Sequence, residues 1–226
     1  AVYSDGTIYK VTGIGYEPKG EFLVNGSAIS PKDHRGLYKS LECAVLCNGA
    51  ELANAGGLYK IVGDPTEGSL LTAAAKAGLL KVALEKDSAF IEEIPFDSER
   101  KKMTTVRSYK GKIVAFVKGA PDVLLKDCAR IEENGVARPF NRSDLDKVLK
   151  VNNELAAQAM RVLAVSYRTM EGVPDTYEAS FVEKDLTFLG LIAMIDPPRE
   201  EVKAAMKECG RAGIKTVMIT GDHKNT

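Results

Sequence analysis

Tryptophan is missing from this chain, histidine occurs twice and cysteine four times. These scarcities remove several kinds of chemistry. Cys43 and Cys47 are close in sequence, but no second pair accompanies them, and His34 and His223 stand alone. The spacing excludes a zinc site and reads as buried free thiols in a reducing compartment. Long apolar runs are also lacking: the longest, Phe188–Ile195, falls far short of the roughly 20 residues a bilayer-spanning helix needs. No signal peptide opens the chain, so the chain as given reads as soluble, although its parent need not be. Charge of either sign is not in excess. Lys+Arg and Asp+Glu each number 31, which removes any electrostatic case for nucleic acid or an anionic membrane as partner. A P-loop is absent too. Gly15 and Gly20 have its glycine spacing, but Glu21 stands where its lysine belongs.

What is present is an ordinary globular composition, 45% hydrophobic over 226 residues. That length suits one large domain, or one domain and part of another. The stretch Ile94–Asp122 carries the densest signals. Two apolar-patterned segments flank Tyr109-Lys110-Gly111-Lys112, a hairpin turn. The second segment, Ile113–Val117, is continuously apolar and reads as a central strand covered on both faces. It ends at Lys118-Gly119-Ala120-Pro121, and Pro121 suits the first turn of a helix. A lysine and a glycine at a strand end beside a helix N-terminus are well placed for an anion. Upstream, Phe96 is followed by Arg100 and Lys101. A ring for stacking and cations for phosphates are the ingredients of a nucleotide site. The same pattern also fits a core ring and a solvated basic face.

Elsewhere the pattern punctuates clearly. Thr7–Thr12 and Glu21–Val24 are short strand candidates. Ser30 or Asp33 can open a helix through Leu37–Cys47, with Leu37, Leu41, Ala44 and Val45 on one face. Asp64 fits an N-cap, Pro65 the first helical position, and Glu67 completes an Asp-x-x-Glu capping box. That helix runs to Ala77 and stops at Gly78. A short helix is expected over Pro121–Cys128. A longer one, capped by Ser143 with Asp146, is expected to reach about Met160, before a strand over Val162–Tyr167.

From Leu186 the period changes. Leu186–Ile195 and Ile214–Ile219 read as buried strands around a helix marked by Val202, Ala205, Met206 and Cys209. This is a βαβ unit of a parallel sheet. Asp196 and Asp222 follow the two strand ends, where open α/β sheets bind ligands, although Asp is also a common N-cap and turn residue. The expectation is a domain over 1–185 and part of a second over 186–226. One such unit cannot cover its own sheet, which points to an excised fragment.

Six motifs then coincide in order: Gly63-Asp64-Pro65-Thr66-Glu67, the run Phe96 to Met103, Lys118-Gly119-Ala120-Pro121, Arg161-Val162-Leu163-Ala164, Asp196-Pro197-Pro198-Arg199 and Thr220-Gly221-Asp222. Together they resemble the cytoplasmic loop of P-type cation-transporting ATPases, most closely the calcium-pumping branch in its bacterial or archaeal form. The resemblance implies an α+β fold: an antiparallel sheet flanked by helices, followed by a partial α/β parallel, haloacid-dehalogenase-like segment. It implies ATP and Mg²⁺ as cofactors. Phe96 would stack on adenine, with Glu67 near the adenine amino edge. Lys101 and Lys118 would line the pocket, Gly119 would allow close approach, and Arg161 would reach the phosphates. Thr220 and Gly221 would touch the γ-phosphate, with Asp196 and Asp222 nearby. Ser98 stands where that branch often has a second arginine. The phosphate-accepting aspartate, the later Mg²⁺-holding motif and the membrane helices are absent from this chain. The implied partners are ATP or ADP and the rest of the same transporter, at the cytoplasmic face of a prokaryotic plasma membrane. The fragment would be a monomer that binds ATP without hydrolysing it, with no metal ligands or catalytic residue of its own. The alternatives are a stand-alone haloacid-dehalogenase-type phosphohydrolase and a regulatory ATP-binding module.

Overall fold

Glycine turns between short apolar runs build most of the chain into strands. In a computed structural model, residues 1–172, 174, 176–196, 200–217 and 219 are described. Their elements are β1 (Val2–Ser4), β2 (Thr7–Val11), β3 (Phe22–Val24), β4 (Ser27–Ile29), α1 (Arg35–Leu46), β5 (Glu51–Ala55) and β6 (Leu58–Val62). There follow α2 (Pro65–Lys76), α3 (Lys81–Lys86), β7 (Ser88–Asp97), β8 (Lys102–Tyr109), β9 (Lys112–Gly119) and α4 (Pro121–Leu124). The remainder are β10 (Cys128–Glu133), β11 (Val136–Pro139), α5 (Arg142–Ala156), β12 (Arg161–Met170), α6 (Ala179–Val182), β13 (Leu186–Met194) and α7 (Glu200–Arg211).

The main sheet runs β4-β3-β2-β1-β13-β12-β9-β8-β7, with each neighbouring pair antiparallel. β10 lies parallel to the first half of β13 and carries β11, while β5 and β6 form a separate hairpin. The architecture is α+β, as expected. The turn at Lys110 and Gly111 has both residues at positive φ, 50° and 77°, the geometry of a two-residue hairpin whose twist matches its strands. Glycine supplies the second position without the Cβ clash that disfavours it in other residues.

Because side chains alternate across a strand, β9 feeds two cores. Val114 and Phe116 join the cluster under α1 and α2 with Leu37, Leu41, Val45, Leu70 and Leu71. Val117 joins the opposite cluster with Leu124, Val148 and Phe188, under α4 and α5. Full burial of each such side chain contributes about 1.5–3 kcal/mol. The expected central, doubly covered strand is therefore present.

Several local expectations are corrected. α1 begins at Arg35 after a 3-10 turn at Pro31–Asp33, and neither Ser30 nor Asp33 caps it; His34 occupies the cap position without a side-chain bond. α5 is capped by Asn141, not Ser143. The Asn141 side chain accepts from the Asp144 N–H, and the Asp144 carboxylate accepts from the Asn141 N–H. This reciprocal box sits two residues earlier than the expected Ser143–Asp146 pair; Asn caps at least as well as Ser. α5 ends at Ala156, well before Met160, and Ala159 has φ 59°. The helix expected over Pro121–Cys128 forms as α4 followed by a 3-10 turn over Leu125–Asp127, and Cys128 opens a strand.

The larger correction concerns residues from 186 on. β13 does not open a separate parallel sheet. It lies mid-sheet, antiparallel to β12 from Arg161↔Met194 to Tyr167↔Thr187 and to β1 at Val2↔Ile192 and Tyr3↔Leu191. Its continuous apolar run reflects cover on both faces by helices of the same body. An apolar run reports such cover regardless of strand direction. Ile214 and Val217, expected in a buried strand, are exposed and outside regular structure.

Gly190 on β13 makes the placement testable. A Cβ there would stand 2.3 Å from the Tyr3 carbonyl oxygen and 2.8 Å from Ser40 Oγ on α1. Gly190→Ala should therefore destabilise the fold by about 1–3 kcal/mol, in the range of overpacking, read as a lowered urea midpoint. An unchanged midpoint would remove β13 from the core of this sheet.

Candidate functional site

Four strand ends and one helix start meet at one end of the sheet. Lys118 on β9 pairs in register with Met103 on β8 and with Val165 on β12. On the far side of Met103, β7 bulges: Ile94 opposes Thr104 and Asp97 opposes Lys102, so Pro95 and Phe96 together face Met103. Directly opposed residues share a face. The row Phe96, Met103, Lys118, Val165 thus crosses four strands, and the bulge turns its edge member outward. Phe96 is 64% exposed, while Lys118 is 6% exposed.

Above this row sits the first turn of α2. The Asp64 carboxylate accepts from the Glu67 N–H at 3.0 Å, so the expected N-cap forms. Glu67 does not complete the box. Its carboxylate instead meets the Lys118 ammonium and accepts from the Gly49 N–H at 3.1 Å. Lys118 also donates to the Cys47 carbonyl at 2.6 Å. Two of its three N–H donors have protein partners. At the other end of α2, Gly78 (φ 80°) donates to Ala75 and Leu79 to Ala74, the expected glycine stop.

The loop between α1 and β5 completes the cradle. Asn48 donates to the carbonyls of Ala44 and Glu67 and accepts from Ala50 N–H. Lys81 donates to the carbonyls of Asn48 and Ala50 at 2.8 and 2.9 Å. Sequence reasoning missed Asn48 and Lys81. Asn48-Gly49 after an apolar helix was a turn signal; nothing local marks Lys81. Burial pushes the Cys47 thiol up, against the opposing pull of the Lys118 cation, and burial pushes Cys43 up as well. Both are buried free thiols, as expected, whereas Cys128 and Cys209 are only partly buried.

The remaining predicted residues divide. Arg161, at the start of β12, donates to Thr66 Oγ1 at 2.7 Å, so both Lys118 and Arg161 reach the first turn of α2. Lys101, at φ 50°, is half exposed and 4.0 Å from Asp122. Its neighbours turn away: Lys102 bonds Asp127 at 2.7 Å and Arg100 meets Glu183 on the opposite face. Gly119 is held against β8, where a Cβ would be 2.6 Å from the Lys101 carbonyl oxygen. The close approach there is between backbones. Asp196 is exposed just past the end of β13. Thr220, Gly221 and Asp222 lie outside the described residues.

An exposed ring, a buried acid-paired lysine and an arginine therefore line one end of one sheet face, with Lys101 in the adjoining β7–β8 turn. The family described as P-type ATPase, cytoplasmic domain N, matches residues 36–201, which span α1 through the start of α7. The chain belongs to that family. The match runs past Leu186, in keeping with the position of β13 inside this domain N sheet. The chain is 47% identical over 226 residues to a calcium-transporting ATPase of Bacillus subtilis (strain 168), covering 100% of this chain and 25% of that protein. It is 38% identical over 232 residues to the cation-transporting ATPase pma1 of Synechocystis sp., again 100% of this chain and 25% of that protein. A calcium-transporting ATPase 1 of Bacillus cereus is 41% identical over 186 residues, or 82% of this chain and 20% of that protein. The chain spans about a quarter of the length of the relatives it matches. Among the described residues no helix is long and apolar enough to cross a membrane.

The ion pair sets a stability test for this domain N site. Lys118→Met removes the ammonium from one Glu67 carboxylate oxygen and from the Cys47 carbonyl, at a cost of about 1–3 kcal/mol. Adding Glu67→Leu should recover part of that loss in urea denaturation. A single variant as stable as the parent would make the pair a rim contact.

Proposed function

We propose that this chain is the ATP-binding part of a P-type cation pump, of the calcium-transporting type that its relatives' names describe. The observation that carries the reading is the four-strand row ending in an exposed aromatic ring beside a buried, acid-paired lysine. A ring held outward by a bulge presents a flat face to a base, and stacking supplies affinity to any purine. Glu67, fixed by Gly49 and Lys118, offers carboxylate oxygens to the amino edge of adenine. The third N–H of Lys118 is available to a ligand acceptor. Lys101 and Gly119 border the same pocket, and Arg161 is placed for phosphate oxygens as a planar, permanently charged fork.

Among the described residues, no group of three or more His, Cys, Asp or Glu side chains could hold a metal ion. Mg²⁺ would arrive with the nucleotide phosphates, which is its usual mode of binding. Thr220, Gly221 and Asp222 would complete the γ-phosphate end, with Asp196 nearby. α7 would begin the phosphorylation domain. Its apolar positions Val202 and Met206 are 43% and 50% exposed and lie one turn apart on one face, as suits a helix that packs against more of the transporter. The phosphate would be passed to an aspartate elsewhere in the pump, on the cytoplasmic side of a prokaryotic plasma membrane, and this piece alone would be monomeric.

Two measurements test the reading. Phe96→Ala should weaken ATP and ADP alike by about 1–3 kcal/mol, the value of one stacked base, in calorimetric titration. Because Phe96 is exposed, the melting temperature should hold; unchanged affinity in the folded variant would return the ring to an ordinary edge-strand role. Second, the chain should bind ATP with a dissociation constant on the order of 0.1–1 mM and show no turnover. Incubation with γ-labelled ATP and Mg²⁺, with and without Ca²⁺, should leave no acid-stable protein label. Stoichiometric label, or phosphate release abolished by Asp196→Asn, would support a stand-alone phosphohydrolase instead.

A further inference from the structure

A cleft of about 620 Å³ lies at the other end of the strands, between α1 and the β8–β9 turn. Along β9, Lys112 at this end and Lys118 in the candidate nucleotide site are separated by about 20 Å at ~3.3 Å per residue. Five cations border the cleft: Lys32, Arg35, Lys39, Lys110 and Lys112. One carboxylate, Glu42, faces it, and Glu42 is already bound by the Tyr109 hydroxyl at 3.0 Å and by Lys110 at 3.9 Å. Lys39 is matched from behind by the buried Glu132, which also accepts from the Tyr167 hydroxyl. Lys32, Arg35 and Lys112 have no carboxylate within ion-pair distance among the described residues.

The floor and the helix point the same way. Tyr109 packs edge-to-face on Phe116, and Lys39 lies over the Tyr167 ring. Burial holds both tyrosine hydroxyls well above their usual titration range, so the floor stays uncharged at neutral pH. Arg35 stands in the first turn of α1, where no acidic residue accompanies it. Cations at a helix N-terminus oppose the helix dipole. The Asp5 carboxylate accepts one N–H of that turn, from Gly36 at 3.2 Å. A concave surface on which five cations outnumber one carboxylate concentrates anions.

We infer that this cleft is a second ligand site, independent of the proposed ATP site, that takes a multiply charged phosphate-type anion. Its source is either a free polyphosphate or the headgroups of an acidic lipid. Inorganic tripolyphosphate is the soluble probe, titrated at about 0.1 M salt, where exposed charges still act over roughly 10 Å, with backbone NMR shifts as readout. Shifts should appear at Lys39, Tyr109 and Tyr167. The exposed double variant Lys32→Glu, Lys112→Glu, whose charges flank the cleft, should weaken this binding at least about tenfold, a change of ~1.4 kcal/mol. ATP-induced shifts near Phe96 should persist in that variant. In a parallel arm, co-sedimentation with phosphatidylglycerol vesicles, against phosphatidylcholine vesicles, identifies the source. Vesicle binding that the double variant loses marks lipid headgroups, and tripolyphosphate binding without vesicle binding marks a soluble anion. Binding in neither arm, shifts confined to the Phe96–Lys118 end, or equal binding by the double variant would overturn the site.

Discussion

A lysine ammonium buried under a helix has to be met by acceptors, because an unpaired charge in that position costs several kcal/mol. Lys118 is that group. Its requirement is met by a carboxylate on α2 and a carbonyl at the end of α1, and these two partners fix how α2 sits on the sheet. Once Glu67 is committed to Lys118 it cannot close the capping box, so Asp64 alone caps the helix and Gly49 donates to the free carboxylate oxygen. Asn48 and Lys81 then hold the connecting loop from below. The site end of the domain is organised around one ion pair.

The opposite face obeys the same rule with other residues. Lys102, on β8 next to the edge strand β7, bonds Asp127 and stands 3.2 Å from a Glu183 oxygen; Arg100 and the Thr104 hydroxyl also meet Glu183. Arg107 on β8 reaches the Leu46 and Ser88 carbonyls and Glu85. The β7–β8 turn thus sends consecutive basic residues to different duties: Arg100 and Lys102 pair with buried or half-buried carboxylates, and Lys101, at φ 50°, is left half exposed beside Asp122.

β13 gives the family match its physical sense. With β1 and β10 on one edge and β12 on the other, it is the strand through which the chain's first and last segments of sheet are joined. A sheet cut at Leu186 would lose its most apolar strand and expose Ala164, Val165 and the underside of α1. The domain N match extends to residue 201, past the end of β13 at Met194.

Sequence alone determined the features that depend on near neighbours. The Asp64–Pro65 helix start, the Gly78 stop and the Lys110–Gly111 turn follow from backbone conformations that only a few residue types favour. The doubly covered β9 follows from its unbroken apolar run. The ordered motifs were enough to place the chain in its family, and they named Glu67, Phe96, Lys118 and Arg161, all of which meet at one end of the sheet. Tertiary structure alone decided the rest. It chose Asn141 over Ser143, two competing caps within one turn, and it turned Glu67 from cap to counter-ion. It recruited Lys81 from 33 residues beyond Asn48 and set β13 antiparallel in mid-sheet. Each of these choices is made by long-range burial and charge pairing, and an apolar run or a lone carboxylate in sequence does not state which partner it will find across the fold.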